Sequence, residues 1–178
     1  AGNLFSTTLS ANITDSALSM TVIDATGLNS SGGVLVIDES ISGKREIVYY
    51  ESVLGNTITL STSLTSIGNN AFDTCSGLST ITIPSLVKSI GNNAFRLVTK
   101  LTSMNFPESV TYIGNDVLAG CSNVTNVTIG NSVNYFGSYA LSTQTITNVN
   151  IPASCTYLGD RCFNQSKITN LTIQNCYV

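Results

Sequence analysis

A short pattern that returns every 22 or 23 residues limits the folds open to this chain more than any other feature. An apolar residue followed by glycine recurs at Ile67-Gly68, Ile90-Gly91, Ile113-Gly114, Phe136-Gly137 and Leu158-Gly159. A fixed period of this length is typical of solenoids, in which each repeat forms one coil and contacts only its neighbours. The sequence therefore predicts five stacked coils over residues 61–178.

Two segments within each repeat predict local structure. After the glycine, small and aromatic residues such as Asn69-Asn70-Ala71-Phe72 predict a helical turn. Further along the repeat, an apolar anchor precedes two alternating apolar residues, as in Leu78-x-x-Ile81-x-Ile83. Because alternation with period two is typical of a half-buried strand, this segment predicts a short strand on the side of the coil opposite the turn.

The repeated apolar positions become columns when the coils are stacked. One coil cannot bury its apolar side alone, so the columns are expected to form continuous rows inside the stack. The recurring glycine is expected to serve either a backbone with positive φ or a close approach between coils. The strand row is expected to be buried at Ile81, Met104, Val127, Val149 and Leu171. A further buried row is expected to close the coils at Val87, Val110, Val133, Cys155 and Tyr177.

Before residue 61 the period vanishes, and strand-like segments alternate with turn signals. Clusters of Gly, Asn and Ser separate the segments, which is typical of short antiparallel strands. They predict a small antiparallel β sandwich or barrel, so we expect a mainly β chain with two domains, residues 1–60 and 61–178. The five predicted strands of the first domain are Thr7–Thr14, Met20–Asp24, Val34–Ile37, Glu46–Tyr50 and Thr57–Leu60.

Across about residues 64–178, the columns resemble the BspA-like leucine-rich repeats, whose pattern runs approximately I-G-x-x-A-F-x-x-C-x-x-L-x-x-I-x-I-P. The resemblance implies a leucine-rich-repeat solenoid. It also implies a place among bacterial and protozoan surface proteins that adhere to host or matrix molecules. The fourth and fifth coils depart from the pattern at Phe136, Leu141 and Cys162, and the last coil is therefore expected to cap the stack.

A second resemblance covers the segment from Gly32 to Asn56. Its Gly-Gly-Val-Leu-Val-Ile-Asp and Glu-Ile-Val-Tyr-Tyr-Glu-Ser-Val strings look like a small β-module of tailed-phage virion proteins. This resemblance implies that residues 1–60 anchor the chain to other virion proteins or to its own copies. The repeats would then be the displayed part.

The chain has few residues of the types that act in catalysis or bind metals and cofactors. It has no His, which removes His-based triads, His metal ligands and most general-base schemes at neutral pH. No glycine-rich phosphate or cofactor motif occurs, so we predict no enzyme activity, no catalytic residue, no cofactor and no resident metal. The carboxylates of Asp38, Glu39, Glu46 and Glu51 are interpreted as solvated surface, with a weak Ca²⁺ site at Asp38 or Glu39 left open.

Charge and hydropathy exclude two classes of partner. The net charge is −3 and no basic stripe is present, so nucleic-acid binding lacks its electrostatic footprint. No apolar run approaches the roughly 20 residues needed to span a bilayer. Only 10% of the residues are charged. Ser, Thr and Asn take the place of charge, a composition common in extracellular and virion proteins.

The cysteines, five in number, are interpreted as small buried residues. Cys75 and Cys121 occupy one column two coils apart, and at about 4.8 Å per coil their Cα atoms are too distant to be bridged. Cys155 and Cys162 take columns held elsewhere by Val or Ala, as a buried hydrophobic residue would. A bridge between Cys155 and Cys176, from adjacent coils, is left open by this geometry.

The outward positions of the strand column form the candidate binding face. They alternate with the buried residues and should point to solvent as a neutral row of hydrogen-bond donors and acceptors. Repeat folds commonly bind through such surfaces, and a host-surface glycan or protein would suit this one. The alternative is that these side chains satisfy each other and only solvate the sheet. The ten residues are Thr80, Thr82, Ser103, Asn105, Asn126, Thr128, Asn148, Asn150, Asn170 and Thr172.

Two functions are consistent with a non-enzymatic chain that acts through a binding surface. The first is a bacteriophage virion component, a head or tail decoration or fibre, present on the virion as a homo-oligomer or as part of a larger assembly. The alternative is a bacterial cell-surface or secreted BspA-like adhesin that binds host or matrix molecules outside the cell. Ala1-Gly2 is interpreted as the product of initiator Met removal, with signal-peptide cleavage as the alternative.

Overall fold

The chain folds as a stack of parallel β-coils. Its computed structural model describes residues 33–37, 46–54, 57–60, 62 and 64–174, and these contain no α-helix. The strands are β1 (Gly33–Ile37), β2 (Glu46–Leu54), β3 (Thr57–Leu60), β4 (Ser66–Ile67), β5 (Thr80–Thr82), β6 (Ser89–Ile90), β7 (Ser103–Phe106), β8 (Tyr112–Ile113), β9 (Asn126–Ile129), β10 (Tyr135–Phe136), β11 (Asn148–Ile151), β12 (Tyr157–Leu158) and β13 (Asn170–Ile173).

The strands that precede the repeats form an antiparallel meander, in which β1 pairs with β2 and β2 pairs with β3. The three predicted strands within the described residues are therefore confirmed, and β2 extends beyond its predicted end to Leu54. The predicted strands Thr7–Thr14 and Met20–Asp24 lie outside the described residues. The sandwich or barrel over residues 1–60 accordingly stays a prediction.

Strand β3 belongs to the repeat stack as well as to the meander. It pairs in parallel with β5, with Thr57 opposite Thr80 and Ile58 opposite Ile81, which is the spacing of one repeat. Leu60 is buried in the core shared with the coils. A strand that was predicted for the N-terminal module thus occupies the register of a repeat strand.

Each coil contributes a strand to two sides of the stack. On the first strand side (β3, β5, β7, β9, β11 and β13) the hydrogen-bonded parallel pairs are β3–β5, β7–β9 and β11–β13. On the second strand side, β4, β6, β8, β10 and β12 form one continuous five-stranded parallel sheet. Partners lie one repeat apart, as in Ile67 with Ile90 and Phe136 with Leu158. The predicted stacking of coils is confirmed.

The strand row is buried through most of the stack. It is buried at Ile81, Met104 and Val149, with Val127 half-buried. The prediction is wrong for Leu171, which is 44% exposed because β13 packs beside one described strand, β11, whereas β7 packs between β5 and β9. Leu171 and Ile173 are exposed in the last described coil. The expectation that this coil caps the stack stays a prediction, because its residues 175–178 lie outside the described residues. The closing row is buried as predicted at Val87, Val110, Val133 and Cys155, while Tyr177 lies outside the described residues.

The Asn-Asn segment forms a non-helical turn, so the predicted helical turn is wrong. Asn70 and Thr74 have φ values of 56° and 60°, a left-handed backbone that interrupts a right-handed helix. The N–H groups of Asn70 and Phe72 donate to the carbonyl oxygens of Asn92, at 2.8 Å, and Ala94, at 2.7 Å. Alternate N–H groups of the turn therefore donate to the next coil, while those of Asp73 and Cys75 donate within the turn, to the carbonyl oxygens of Asn70 and Phe72.

The two asparagines of the first two turns, Asn69-Asn70 and Asn92-Asn93, have different roles. The first accepts a backbone N–H from the next coil through its Oδ1 atom. Asn92 N donates to Asn69 and Asn115 N donates to Asn92, both at 2.8 Å. The second, Asn70 or Asn93, takes the positive φ, which Asn tolerates better than most residues.

The recurring glycine serves close approach between coils. A Cβ on Gly114 would lie 2.6 Å from Asn92 Oδ1 and 2.8 Å from the carbonyl carbon of Gly91, both in the preceding coil. Real side chains do not tolerate such distances without a shift of the backbone. Positive φ is not required at Gly91, Gly114, Gly137 or Gly159. Of the two expectations for this column, close approach is correct and positive φ is wrong.

Candidate binding surface

The ten residues of the candidate binding face are all exposed on the first strand side. In β7, for example, exposed Ser103 and Asn105 alternate with buried Met104 and Phe106. Parallel register places Ser103 beside Asn126, so equivalent side chains of neighbouring coils form rows. The exposed set is Thr80, Thr82, Ser103, Asn105, Asn126, Thr128, Asn148, Asn150, Asn170 and Thr172.

Some side chains of this face bond to each other across coils. Thr128 Oγ1 donates to Asn105 Oδ1, and Asn170 Nδ2 donates to Asn148 Oδ1 at 2.7 Å. The described part of the chain supplies no hydrogen-bond partner for the side chain of Asn126 or Asn150. The face is therefore partly satisfied internally, and part of its hydrogen-bonding capacity is directed to solvent.

A shallow open groove of about 360 Å³ lies at the ends of β7 and β9. It is lined by Asn105, Phe106, Pro107, Glu108, Thr128, Ile129 and Gly130. Two residues of the face, Asn105 and Thr128, thus share the groove with the carboxylate of Glu108. That carboxylate accepts from the Asn131 backbone N at 2.7 Å and from Asn131 Nδ2 at 3.2 Å. These contacts fix an acceptor at the edge of the face.

The face itself carries no ionisable side chain. Of the ion pairs among the described residues, the shorter lies on the turn side, where Arg96 Nε and Nη2 donate to the two carboxylate oxygens of Asp73 at 3.0 and 2.8 Å. The hydrogen bond and charge of Asp73 raise the pKa of the Arg96 guanidinium. The ten side chains of the face therefore offer neutral hydrogen-bonding groups and no charge.

A row of stacked tyrosines lies on the second strand side, and sequence reasoning missed it. Tyr112 stacks on Tyr135 and Tyr135 stacks on Tyr157, each with ring centroids 4.7 Å apart and planes inclined by 11°. The signal is present in the sequence, because each tyrosine directly precedes the apolar-glycine pair of its repeat. Ser66 and Ser89 hold the same position in the earlier coils.

Within the described residues, no three side chains of the His, Cys, Asp and Glu types converge as metal ligands. Asp38 and Glu39, the positions left open for Ca²⁺, lie outside these residues. The absence of enzyme activity and of a cofactor stays a prediction. None of the described segments forms a helix with the length and apolar character needed to cross a membrane.

Four cysteines are buried thiols: Cys75, Cys121, Cys155 and Cys162. Burial raises the pKa of the Cys121 thiol to about 12, and its Sγ donates to the carbonyl oxygen of Phe95 at 3.0 Å. The interpretation of these four as small buried residues is confirmed. Cys176 lies outside the described residues, so a bridge between Cys155 and Cys176 stays a prediction.

A comparison with known protein families also finds the repeats. A family model described as BspA type leucine rich repeat region matches residues 45–175 in 6 copies. The match begins before residue 61, in line with the parallel pairing of β3 with β5. It gives one copy more than the five coils that the sequence predicts. No curated protein matches the sequence.

Two solved structures share the fold. A leucine-rich repeat protein from Bacteroides ovatus ATCC 8483 is 22% identical with a TM-score of 0.58, over 78% of this chain and 39% of that protein. A leucine rich cell surface protein from Faecalibacterium prausnitzii A2-165 is 21% identical with a TM-score of 0.53, over 90% of this chain and 51% of that protein. This chain thus spans about two fifths and about half of their lengths. At such identity the likeness shows the fold alone.

Proposed function

The chain belongs to the BspA-type leucine-rich repeat family, and we propose that it is a non-enzymatic repeat protein of the bacterial cell surface that adheres through its candidate binding face. The observation that carries the proposal is the face itself, where neutral polar side chains are exposed at every second strand position over a buried row. Support for the location comes from the Faecalibacterium protein of the same fold, which is named a cell surface protein.

The geometry of the face suits a polar, uncharged partner. Its side chains stand on strands that are held by inter-coil hydrogen bonds, so little backbone entropy would be lost on binding. Asn126 and Asn150 offer amide donors and acceptors that other described residues leave unused. The hydroxyl groups of a host-surface glycan, or the main chain of a host protein, are complementary to such groups.

Two variants test the role of the face. The double substitution Asn126→Ala with Asn150→Ala removes two exposed amides from the face, while Ser122→Ala with Gln144→Ala removes two exposed polar groups from turns outside it. We expect roughly tenfold weaker binding of the first variant to host cells, since each hydrogen bond contributes about 0.5–1.5 kcal/mol. The second variant should bind as the original chain does.

The readout is flow cytometry of fluorescently labelled protein on epithelial cells, before and after enzymatic removal of surface glycans. Thermal unfolding of each variant checks that the fold is kept. Equal binding by the face variant and its control would contradict the proposed role of the face. Loss of binding after glycan removal would identify the partner as a glycan, and unchanged binding would identify it as a protein.

The virion location depends on the resemblance of residues 32–56 to a phage module, and neither the family match nor the two solved structures support it. Immunogold labelling with antibodies against residues 64–174 separates the two locations. Bacterial cells and purified phage particles from one culture would be labelled side by side. We expect labelled cells and unlabelled particles. Labelled particles would contradict the surface proposal and support a virion component.

A further inference from the structure

The tyrosine row has a geometry set by the stack. Successive coils hold the ring centroids of Tyr112, Tyr135 and Tyr157 4.7 Å apart. Carbon atoms in contact lie about 3.5–4.0 Å apart, so nearly parallel rings at this spacing must be offset, which is the arrangement that aromatic pairs prefer. Each ring is therefore tilted and overlaps its neighbour in part. Tyr112 and Tyr157 keep 37% and 47% of their surface exposed.

The groups that flank the row are mostly neutral. The positions just before the tyrosines are Thr111, Asn134 and Thr156, and the hydroxyls of the two threonines donate to carbonyl oxygens of the preceding coil. Burial raises the pKa of the Tyr135 phenol, and the neighbouring tyrosines raise it further, so the phenol at the centre of the row is neutral at neutral pH. The charged residue at the corresponding position of an earlier coil is Lys88, which precedes the row.

We infer that the tyrosine row is a second binding site, separate from the candidate binding face, and that its ligand is a linear, uncharged polysaccharide. A pyranose ring has an apolar face of C–H groups and a rim of hydroxyls. The apolar face matches the exposed part of a tyrosine ring, and the rim matches the phenols, threonines and asparagine beside it. A row of rings at regular spacing suits a chain of regularly spaced sugars. The inference rests on the proposed adhesive function and assigns it a ligand class.

Other ligand classes fit the row less well. A nucleic acid would also stack on aromatic rings, yet its phosphates need a basic groove, and Lys88 is the one cation at the flanking positions of the described coils. A cationic ligand would need carboxylates beside the rings, and the flanking positions of the described coils carry none. A neutral ligand needs neither.

The column itself supplies the variants for a test. Ser66 and Ser89 hold the tyrosine position in earlier coils, so the triple substitution Tyr112→Ser, Tyr135→Ser and Tyr157→Ser uses a residue that the fold already accepts there. The reverse change, Ser89→Tyr, would extend the row to four rings. Tyr157→Ser alone removes the most exposed ring and serves if the triple variant does not fold.

The measurement is native gel electrophoresis in gels that contain soluble glucomannan, mixed-linkage β-glucan or xylan, with polygalacturonate as the charged comparison. We expect retardation of the original chain by at least one neutral polysaccharide. The triple variant should bind at least roughly tenfold more weakly, and Ser89→Tyr about twofold to tenfold more tightly, because an aromatic contact contributes about 0.5–1.5 kcal/mol. Tyr157→Ser should be intermediate.

Three results would overturn the inference: no retardation by any neutral polysaccharide, retardation by polygalacturonate alone, or equal retardation of the original chain and the tyrosine variants. The face variant Asn126→Ala with Asn150→Ala should keep its polysaccharide binding. Failure of the tyrosine inference would therefore appear in the gels. Failure of the proposed function would appear in the cell-binding assay, where the face variant would match its control.

Discussion

The middle coils and the last described coil carry the same residue pattern, yet their burial differs. Met104 and Phe106 are 2% and 1% exposed, whereas Leu171 and Ile173, at the same positions of the last coil, are 44% and 40% exposed. The strands are equally short and equally paired on one side. Burial in this fold is therefore a property of neighbouring coils and not of a single coil, as expected of a solenoid whose stability is a sum of repeat and interface contributions.

The largest expected change in stability comes from substitution of the aromatic residue in the turn. Phe95 is fully buried and stacks on Phe72 with ring centroids 5.1 Å apart, while Phe163, its equivalent in the last coil, is half-buried. We expect Phe95→Ala to lower the free energy of unfolding by about 3–5 kcal/mol. Phe163→Ala should lower it by less than about half as much. Urea denaturation measures both, and equal losses would contradict the comparison.

The second test concerns the glycine column. Gly114→Ala places a Cβ 2.8 Å from the backbone of Gly91, between coils that are held on both sides, and we expect a loss of about 1–3 kcal/mol from overpacking. Gly159→Ala meets the backbone of Gly137 at 2.3 Å. The last described coil can yield more easily, so the loss should be smaller despite the shorter contact. A larger loss at Gly159 would show that the last coil is as firmly held as the middle ones.

The third test measures how the stability of the fold depends on ionisation of the Cys121 thiol, which is buried in the middle coils. Its folded pKa of about 12 lies above the roughly 8.5 of an unfolded cysteine. The unfolded chain therefore ionises first as pH rises. The stability contributed by the neutral thiol is fully present below about pH 8.5 and is lost as pH rises toward 12, by up to about 1.4 kcal/mol per pH unit.

Cys121→Val is the matched control for this pH dependence, because Val98 holds the same column. Urea denaturation of both proteins at pH 8, 9 and 10 should give free energies that diverge with increasing pH, with the valine variant falling less. Parallel curves would mean that the Cys121 thiol titrates normally, and hence that water reaches the middle of the stack.

The smallest expected effect is that of the ion pairs. Arg96 bonds to Asp73 across coils with two hydrogen bonds, but it is 41% exposed, so Arg96→Ala should cost less than about 1 kcal/mol and less still at high salt. Arg161, whose Nε lies 3.8 Å from Asp160 on the exposed surface, should show no measurable change on replacement by Ala. Thermal unfolding at low and high salt measures both. A loss at Arg161 equal to that at Arg96 would remove this contrast.

The repeated apolar positions predicted the coils, their stacking and most of the core. The regular spacing of apolar residues along the sequence is enough to show which positions are buried. It did not predict the turn, since the sequence does not state the sign of φ, and Asn-Asn suits a left-handed residue as well as a helical one. It did not predict the exposure of Leu171, because burial there depends on what lies beyond the coil.

The exposed strand positions of the candidate binding face follow from the same alternation and were predicted in full. The tyrosine row was missed although Tyr112, Tyr135 and Tyr157 recur at one position of the repeat. The prediction considered columns of buried apolar residues, and these tyrosines stack on the surface. The partner of either surface depends on chemistry that no spacing encodes.

Amide hydrogen exchange tests the central claim, the stacking of coils into one core, most directly. The N–H groups of Gly91, Gly114 and Gly137 donate to carbonyl oxygens of the preceding coil at 2.8–2.9 Å. We predict that these amides exchange at least roughly a hundredfold more slowly than that of Gln174, whose bond to the Ile151 carbonyl lies in the last described coil at 3.3 Å. Exchange that is equally fast at all four amides would contradict a continuous stack.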